Sequence, residues 1–531
     1  MIRSPGVPRV AGLALVMTLS AVLIGCRGSA VVIPVEQRTV IDRQVVEYPT
    51  GFVLTSYIER LQSPTAFAFD TDDPEHAGTV IVAEGGLGDD EQPRLVGFRP
   101  DGSQFQLYPR AGRFSTLNPF GGRDRLYGPI GGLCISKGEV FVTHRDANGR
   151  GVVSAIDYTG ARRTVVGELP AQGDHAVTAI VINPINDRLY FGVGSATNSG
   201  VVGIDNWELG WPAVYRGFCD QSHVDLKLLG YRFDTPDPAG GFFGAPDTAV
   251  SAPFQPFGSS NQTRIRRAAN GRPTSSIYSV SREGGDLRVE AHGIRNPAGL
   301  VFNEFGSLFA TNQGMQLRGT RPVKDDPDVV VRVPLGGATW FGFPDFSADL
   351  LPVSDPRFQP DAAMLLKTGY PELGAVIDHG ASGLTPPDRN TLLRGVFLPL
   401  SGASGMDVVP ERGGFRDYRG NLVVALSGDR APFATSRRPL VAPVGYRVMR
   451  VDPETRQVRD FVFNASALPA SRMKGRVVAL ERPVDVKFGP DGALYILDLG
   501  RVRFDGGAPK PDARTGRVFR LAPVETPGTQ P

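Results

Sequence analysis

Short apolar runs recur along this chain in pairs separated by turns. Leu300-Val301-Phe302 and Leu308-Phe309-Ala310 flank a Gly-containing turn at residues 303–306, which is the pattern of a β-hairpin. A polar loop carrying His292, Arg295 and Asn296 leads into the first run, and Pro297 ends ladder pairing there. Asn312, Gln313 and Gly314 follow the second run. The first strand of a hairpin begins at the edge where the second one ends. Arg295 and Asn296 are therefore expected near Asn312, Gln313 and Gly314.

The same unit is legible six times. Its copies are 63–69 with 79–84, 128–133 with 139–144, 175–181 with 188–191, the unit just described, 402–408 with 421–425, and 482–488 with 493–496. Several are followed by further strand-like text, as at 151–156 and 446–451. Self-similar hairpins in this number predict an all-β fold, a six-bladed β-propeller. Residues 516–521 have no hairpin after them and 51–55 have none before them, so the two stretches are expected to pair in one blade and remove an open sheet edge. A two-domain sandwich is the structural alternative.

In a propeller the starts of the inner strands and the ends of the second strands share one mouth. Aligning the copies puts Ser63, Gly128, His175, Asn296, Gly402 and Arg482 in one column there. Glu84, His144, Val193, Asn312, Leu426 and Asp498 form the other. Two stretches exceed the length of a blade and leave from the mouth side. Residues 198–289 hold Trp207, Trp211 and His223; residues 316–401 hold Asp325, Asp326, Asp328 and Trp340. Both are expected to wall or cover the channel, the tryptophans as lid core and the aspartates as a solvated loop.

Composition narrows the partners. The chain has 531 residues with 65 Gly, 45 Pro and a net charge of +2, a turn-rich globular composition without a basic tract, so nucleic acid is not expected. Arg3 and Arg9 precede an apolar run over 10–24 that ends in Leu23-Ile24-Gly25-Cys26. That run is too short to span a bilayer and reads as a signal peptide. Leu-Ile-Gly-Cys matches the bacterial lipobox, which predicts lipidation at Cys26 and a cell-envelope location anchored through lipid alone. The expected organisation is a signal peptide over 1–25, a lipidated tether over 26–50, the propeller over 51–523 and a tail over 524–531. Cys134 and Cys219 could pair, but two thiols carry no connectivity information.

Ile294-Arg295-Asn296-Pro297-Ala298-Gly299-Leu300 with Asn312-Gln313-Gly314, and Gly342-Phe343-Pro344, carry a resemblance. Gly173-Asp174-His175 with Gly194-Ser195, and 482–486, match more weakly. Together they resemble the glucose/sorbosone dehydrogenase family, six-bladed propellers that bind pyrroloquinoline quinone (PQQ). The resemblance implies a PQQ- and calcium-dependent dehydrogenase of an aldose, polyol or aldehyde, passing electrons to a quinone or cytochrome. It implies that His175 is the general base, that Arg295, Asn296, Arg430 and Arg482 contact the cofactor, and that the carbonyls of Gly314 and Met315 hold the calcium. A bidentate contact from Arg482 to a cofactor carboxylate is part of that expectation. The chain departs from the family pattern over 425–430, where Ala425 and Gly428 replace a histidine and a tryptophan and only Ser427 and Arg430 remain, and at Val484, Ser195 and Met315. Those departures keep two alternatives open: a non-catalytic propeller binding a glycan or protein, and a cofactor-free hydrolase or lyase using His175.

Overall fold

The computed structural model describes residues 30–87, 92–109, 125–240, 247–259, 265–475, 477–505 and 508–524. Six mainly antiparallel sheets of at least four strands each follow one another along the chain. Their inner strands are Ala66–Phe69, Tyr127–Ser136, Val177–Ile182, Leu300–Phe302, Ala403–Val408 and Pro483–Phe488, the first strands of blades 1 to 6. Each inner strand touches the next, and that of blade 6 returns to that of blade 1. The fold is a six-bladed β-propeller.

The second strand of a blade lies between neighbouring blades and is covered on both faces. Leu189–Val193, Leu308–Asn312, Leu422–Leu426 and Leu494–Asp498 are buried at every position. A strand buried on both faces reads as an unbroken apolar run rather than an alternation. This is why these segments stand out in the sequence. In blades 2, 3, 5 and 6 the inner pair carries a register shift close to the mouth, where a bulge turns the entering residues toward the channel.

The ring closes in blade 6. Its third strand, Gly516–Pro523, pairs with Leu494–Asp498 on one side and with Phe52–Leu61, from the other end of the chain, on the other. Residues 30–50, expected to be a tether, instead lie on the ring. Val31–Val32 extends blade 6 beyond Phe52–Leu61, and Val46–Glu47 extends blade 5 beyond Val458–Asn464. Ile41, Val46 and Tyr48 drive this by burying their side chains in the core between those two blades. Cys26 and the segment assigned to a signal peptide lie outside the described residues, as does the tail beyond Val524. Among the described residues no helix is long and apolar enough to cross a membrane.

Both long insertions fold. The first carries two short helices, Ile204–Glu208 and Trp211–Val214, and the second carries Ala362–Thr368. Val201, Leu226 and Phe254 of the first share one apolar cluster with Trp340, Ile377 and Leu384 of the second. The two insertions therefore form one cap over blades 3 and 4. Cys134, on the inner strand of blade 2, and Cys219, in this cap, are unpaired thiols.

Candidate functional site

A cavity of about 370 Å³ opens at the mouth and is lined from all six blades. Leu87, Pro129, Gly173, Gly314, Gly402 and Val484 each represent one blade around it. The charged groups on its wall are Arg145, Arg430 and Arg482 against Asp174 and Asp328. Trp211 faces it from the cap, and Phe504 from a small hairpin, Val502–Asp505 with Ala508–Pro511, that follows the second strand of blade 6.

The arginines cluster on the blade 5–6 side. Phe504 lies between two guanidiniums, with Arg430 at 5.1 Å and Arg482 at 5.0 Å from its ring centre; this cation–π geometry holds two like charges together. Burial and the charges of Arg318 and Arg482 bring the Arg430 guanidinium down to about 10, still charged at neutral pH. Arg482 donates through Nη1 to the carbonyls of Ser427 and Gly428, and through Nη2 to the carbonyl of Asp429 and the hydroxyl of Tyr446. Its terminal nitrogens are thus engaged by the loop that carries Arg430. The bidentate carboxylate contact expected of Arg482 is not the arrangement found; the side chain fixes that loop and lends its charge to the cavity wall.

On the blade 3–4 side an imidazole and an amide meet, beside the buried charges of Arg295 and Asp174. The Nδ1 of His175 lies 3.0 Å from the carbonyl oxygen of Ser195. A carbonyl only accepts, so Nδ1 carries the proton and Nε2 carries the lone pair. Burial and the nearby Arg295 charge hold this imidazole down at about 3, so it is neutral throughout the physiological range. Gly194 sits beneath it: a Cβ there would fall 2.3 Å from the His175 Cβ and 2.8 Å from the Asn296 Oδ1. His175 and Asn296 therefore meet over a position that has room for glycine alone. The Oδ1 of Asn296 is buried without a hydrogen-bond partner, while its Nδ2 donates to Gln313 Oε1 at 2.9 Å. Gln313 lines the cavity and donates in turn to the Ala403 carbonyl at 2.8 Å. His175, Asn296 and Arg295 are not on the cavity wall; Gln313, Gly173 and Asp174 are. Arg295 is buried, donating to Asn198 through Nε and Nη2 and to the Gln313 carbonyl through Nη1.

Two buried acidic groupings were not among the expected site residues. Asp174 accepts from Trp211 Nε1 and Asn206 Nδ2, both at 2.8 Å, and from Arg318 Nη2 at 2.6 Å. Arg318 also pairs with Asp205, so one guanidinium bridges two buried carboxylates. Asp326 and Asp328, expected in a solvated loop, are buried as well. Asp328 accepts the amide of Gly314 at 2.9 Å, and Asp326 accepts that of Met315 at 2.7 Å. They flank the start of Pro327–Val333, the third strand of blade 4, and third strands also begin at the mouth. A third column through the repeats would have exposed them; Arg318 left no such trace.

The cofactor groups implied by the resemblance can be set against this geometry. Three arginines and two aromatic rings around one cavity match a planar, carboxylated quinone, because the bordering acids are engaged by protein donors. For a hard cation the relevant atoms are backbone oxygens. The Met315 amide is held by Asp326, and in a trans peptide the carbonyl of Gly314 points the opposite way. Neither the Gly314 nor the Met315 carbonyl accepts a hydrogen bond among the described residues, so this pair is open to a cation. The described residues contain no cluster of three or more His, Cys, Asp or Glu side chains placed to bind one. The Met315 side chain itself belongs to the core of the second insertion. Three further mouth positions are satisfied within or beside their own blades: Glu84 by Arg94, His144 by Ser154, and Asp498 by the amides of Glu481, Arg482 and Gly500, whereas the Ser63 hydroxyl is buried without a partner.

No family model matches the chain, and no curated protein matches it. Solved structures similar to it include the holo form of the PQQ domain of pyranose dehydrogenase from Coprinopsis cinerea, 14% identical with a TM-score of 0.49 over 91% of this chain and 98% of that one. A presumed oxidoreductase (glucose dehydrogenase) from Thermus thermophilus is 19% identical with a TM-score of 0.43, over 89% and 100% of the two chains. The class is defined by the strand pairing and the mouth: a six-bladed propeller whose central cavity combines guanidinium, carboxylate and aromatic walls.

Proposed function

We propose that this chain is an oxidoreductase that holds a planar carboxylated quinone such as PQQ in the central cavity and oxidises a hydroxyl or aldehyde of a small sugar-like substrate. One observation carries the reading. Arg145, Arg430 and Arg482 outnumber Asp174 and Asp328 on the cavity wall, and both acids are already held by donors of the protein: Trp211, Asn206, Arg318 and backbone amides. When bound, the quinone supplies a two-electron acceptor for hydride. Arg430 and Phe504 would hold its carboxylate edge and ring, and the carbonyls of Gly314 and Met315 would hold calcium.

His175 has the tautomer a general base requires, with the Nε2 lone pair available and the ring aimed by Ser195. A substrate hydroxyl would give its proton to Nε2. Gln313 stands between the cavity and Asn296, so it must swing aside before substrate reaches the imidazole. Electrons would pass onward to an external quinone or cytochrome, and an envelope lipoprotein anchored at Cys26 fits that arrangement.

The test is reconstitution. Purified protein is mixed with PQQ and calcium, then assayed with aldoses and polyols using a dye acceptor. Quinone absorbance changes, thermal stabilisation and sugar-dependent dye reduction support the reading, with R430A losing cofactor binding and H175A losing turnover while keeping the cofactor. A second reading is favoured by the engagement of Arg295 and Arg482 with backbone carbonyls, as in purely structural arginines. In that reading the mouth binds a glycan or protein without chemistry. No PQQ binding, combined with glycan retention, would select it.

A further inference from the structure

Away from the central cavity, a void of about 20 Å³ lies where the cap meets blade 3, and two histidines line it. His292 ends the fourth strand of blade 3, Arg288–His292, and pairs with Ser276 and, in parallel, with Trp340 of the fifth. His223 comes from the first insertion, whose loop is tied down by hydrogen bonds between Gln221 and Thr274 and from Asn270 to Ser222. The two rings are 5.1 Å apart between centres, at 53°. Neither ring makes a hydrogen bond among the described residues, and His223 Nδ1 is buried without a partner. The hydroxyl of Ser275, lining the same void, is likewise buried and unpartnered, on a residue held at φ 54°. Unsatisfied buried polar atoms cost stability unless something binds them, and here they belong to two residues, His223 and Ser275, around one void.

We propose that His223 and His292 form a binding site for a divalent transition-metal ion of the zinc or cobalt class, with Ser275 Oγ and water completing its coordination. Imidazole suits these metals. Two imidazoles bound to one tetrahedral ion at ~2.0–2.1 Å place their ring centres roughly 5 Å apart, which is the spacing found. Burial holds His292 down at about 4 and lowers His223 as well, so both rings are neutral and ready to ligate near neutral pH. The ion acts as a staple. It ties the first insertion to blade 3, and through Ser275, whose amide donates to Gly194 O and whose carbonyl accepts from Ile294 N, it braces the backbone under His175 and Arg295.

The experiment uses untagged full chain, stripped with chelator and titrated with Co²⁺. The expected result is one equivalent bound, visible d–d absorption of a tetrahedral site and a raised Tm. H223A and H292A should each weaken Co²⁺ by more than the ~10–100-fold that losing an outer-shell partner costs; S275A should weaken it less, and H76Q should leave it unchanged. Should H292A fail to fold, H223Q, on the less buried ring, gives the same readout. Absence of Co²⁺ absorption in wild type, or equal binding by H223A, overturns the proposal and leaves the void as the seat of one buried water.

Discussion

The two halves of the mouth are built on different principles. On the blade 5–6 side, charge is gathered by a short hairpin and a loop, with Arg430, Phe504 and Arg482 packed face to face. On the blade 3–4 side, the cap buries neutral amides and an imidazole whose protonation state is set by Ser195. In the proposed function, one half would hold an anionic cofactor and the other would accept a proton from a neutral substrate. The charge that bears on His175 is the buried guanidinium of Arg295, which together with burial suppresses its protonation.

The sharpest way to break this contrast is to remove the acid that neutralises the wall between the halves. D174A leaves Arg318 buried with one partner instead of two, and losing one member of a buried ion pair costs ~3–5 kcal/mol. Urea denaturation checks this; a loss under about 1 kcal/mol would mean that Arg318 relaxes onto Asp205 and that the wall is not held by the pair. Next in size is R482A. It removes charge from the anionic-ligand half and frees the loop of Ser427, Gly428 and Asp429, so PQQ binding measured by fluorescence quenching should fall ~10–100-fold, the equivalent of one or two charged hydrogen bonds. The same variant should leave the His175 side unaltered.

The neutral half is tested by pH. An imidazole held neutral in the fold, at about 3 against 6.5 in an unfolded chain, binds fewer protons folded than unfolded. Its contribution to stability is therefore intact above 6.5 and falls as pH drops from there toward 3, by ~1.4 kcal/mol per unit. H175N retains a donor for Ser195 O at the place of Nδ1 and cannot titrate. Wild type should lose ~2 kcal/mol relative to H175N between pH 6.5 and 5 in paired urea melts; parallel curves would place the ring in water. Smallest is Q313A, which removes hydrogen bonds worth ~1 kcal/mol and opens the path from the cavity to Asn296. Sugar KM under the dye assay should drop about threefold with kcat little changed, and an increase would show that Gln313 binds substrate.

The ring was readable from the chain because the second strands are apolar without interruption and are flanked by glycine turns, as at Asn421–Ala425 and Asp491–Ile496. Closure through 51–55 and 516–521 followed from strands left without partners. The site was less readable, for two physical reasons. The ionic partner shared by Asp174 and Asp205, Arg318, comes from a loop more than a hundred positions away, and nothing in its local text distinguishes it from a surface arginine. Asp326 and Asp328 look solvated in sequence because their partners are backbone amides, which every residue offers. Arg295 and Arg482 were recognisable as mouth residues, yet their donors are taken up by carbonyls that no motif records.

Phe52 stands opposite Pro523 in the sheet that seals the ring. Bridging these neighbouring positions with a short linker and opening the chain at the exposed Phe305 turn would give a permuted sequence that drops the added strands Val31–Val32 and Val46–Glu47 but keeps four strands in each of blades 5 and 6. In such a permutant the first and last residues would sit at the far end of blade 4, away from the cavity, leaving both ends available for immobilisation on an electrode.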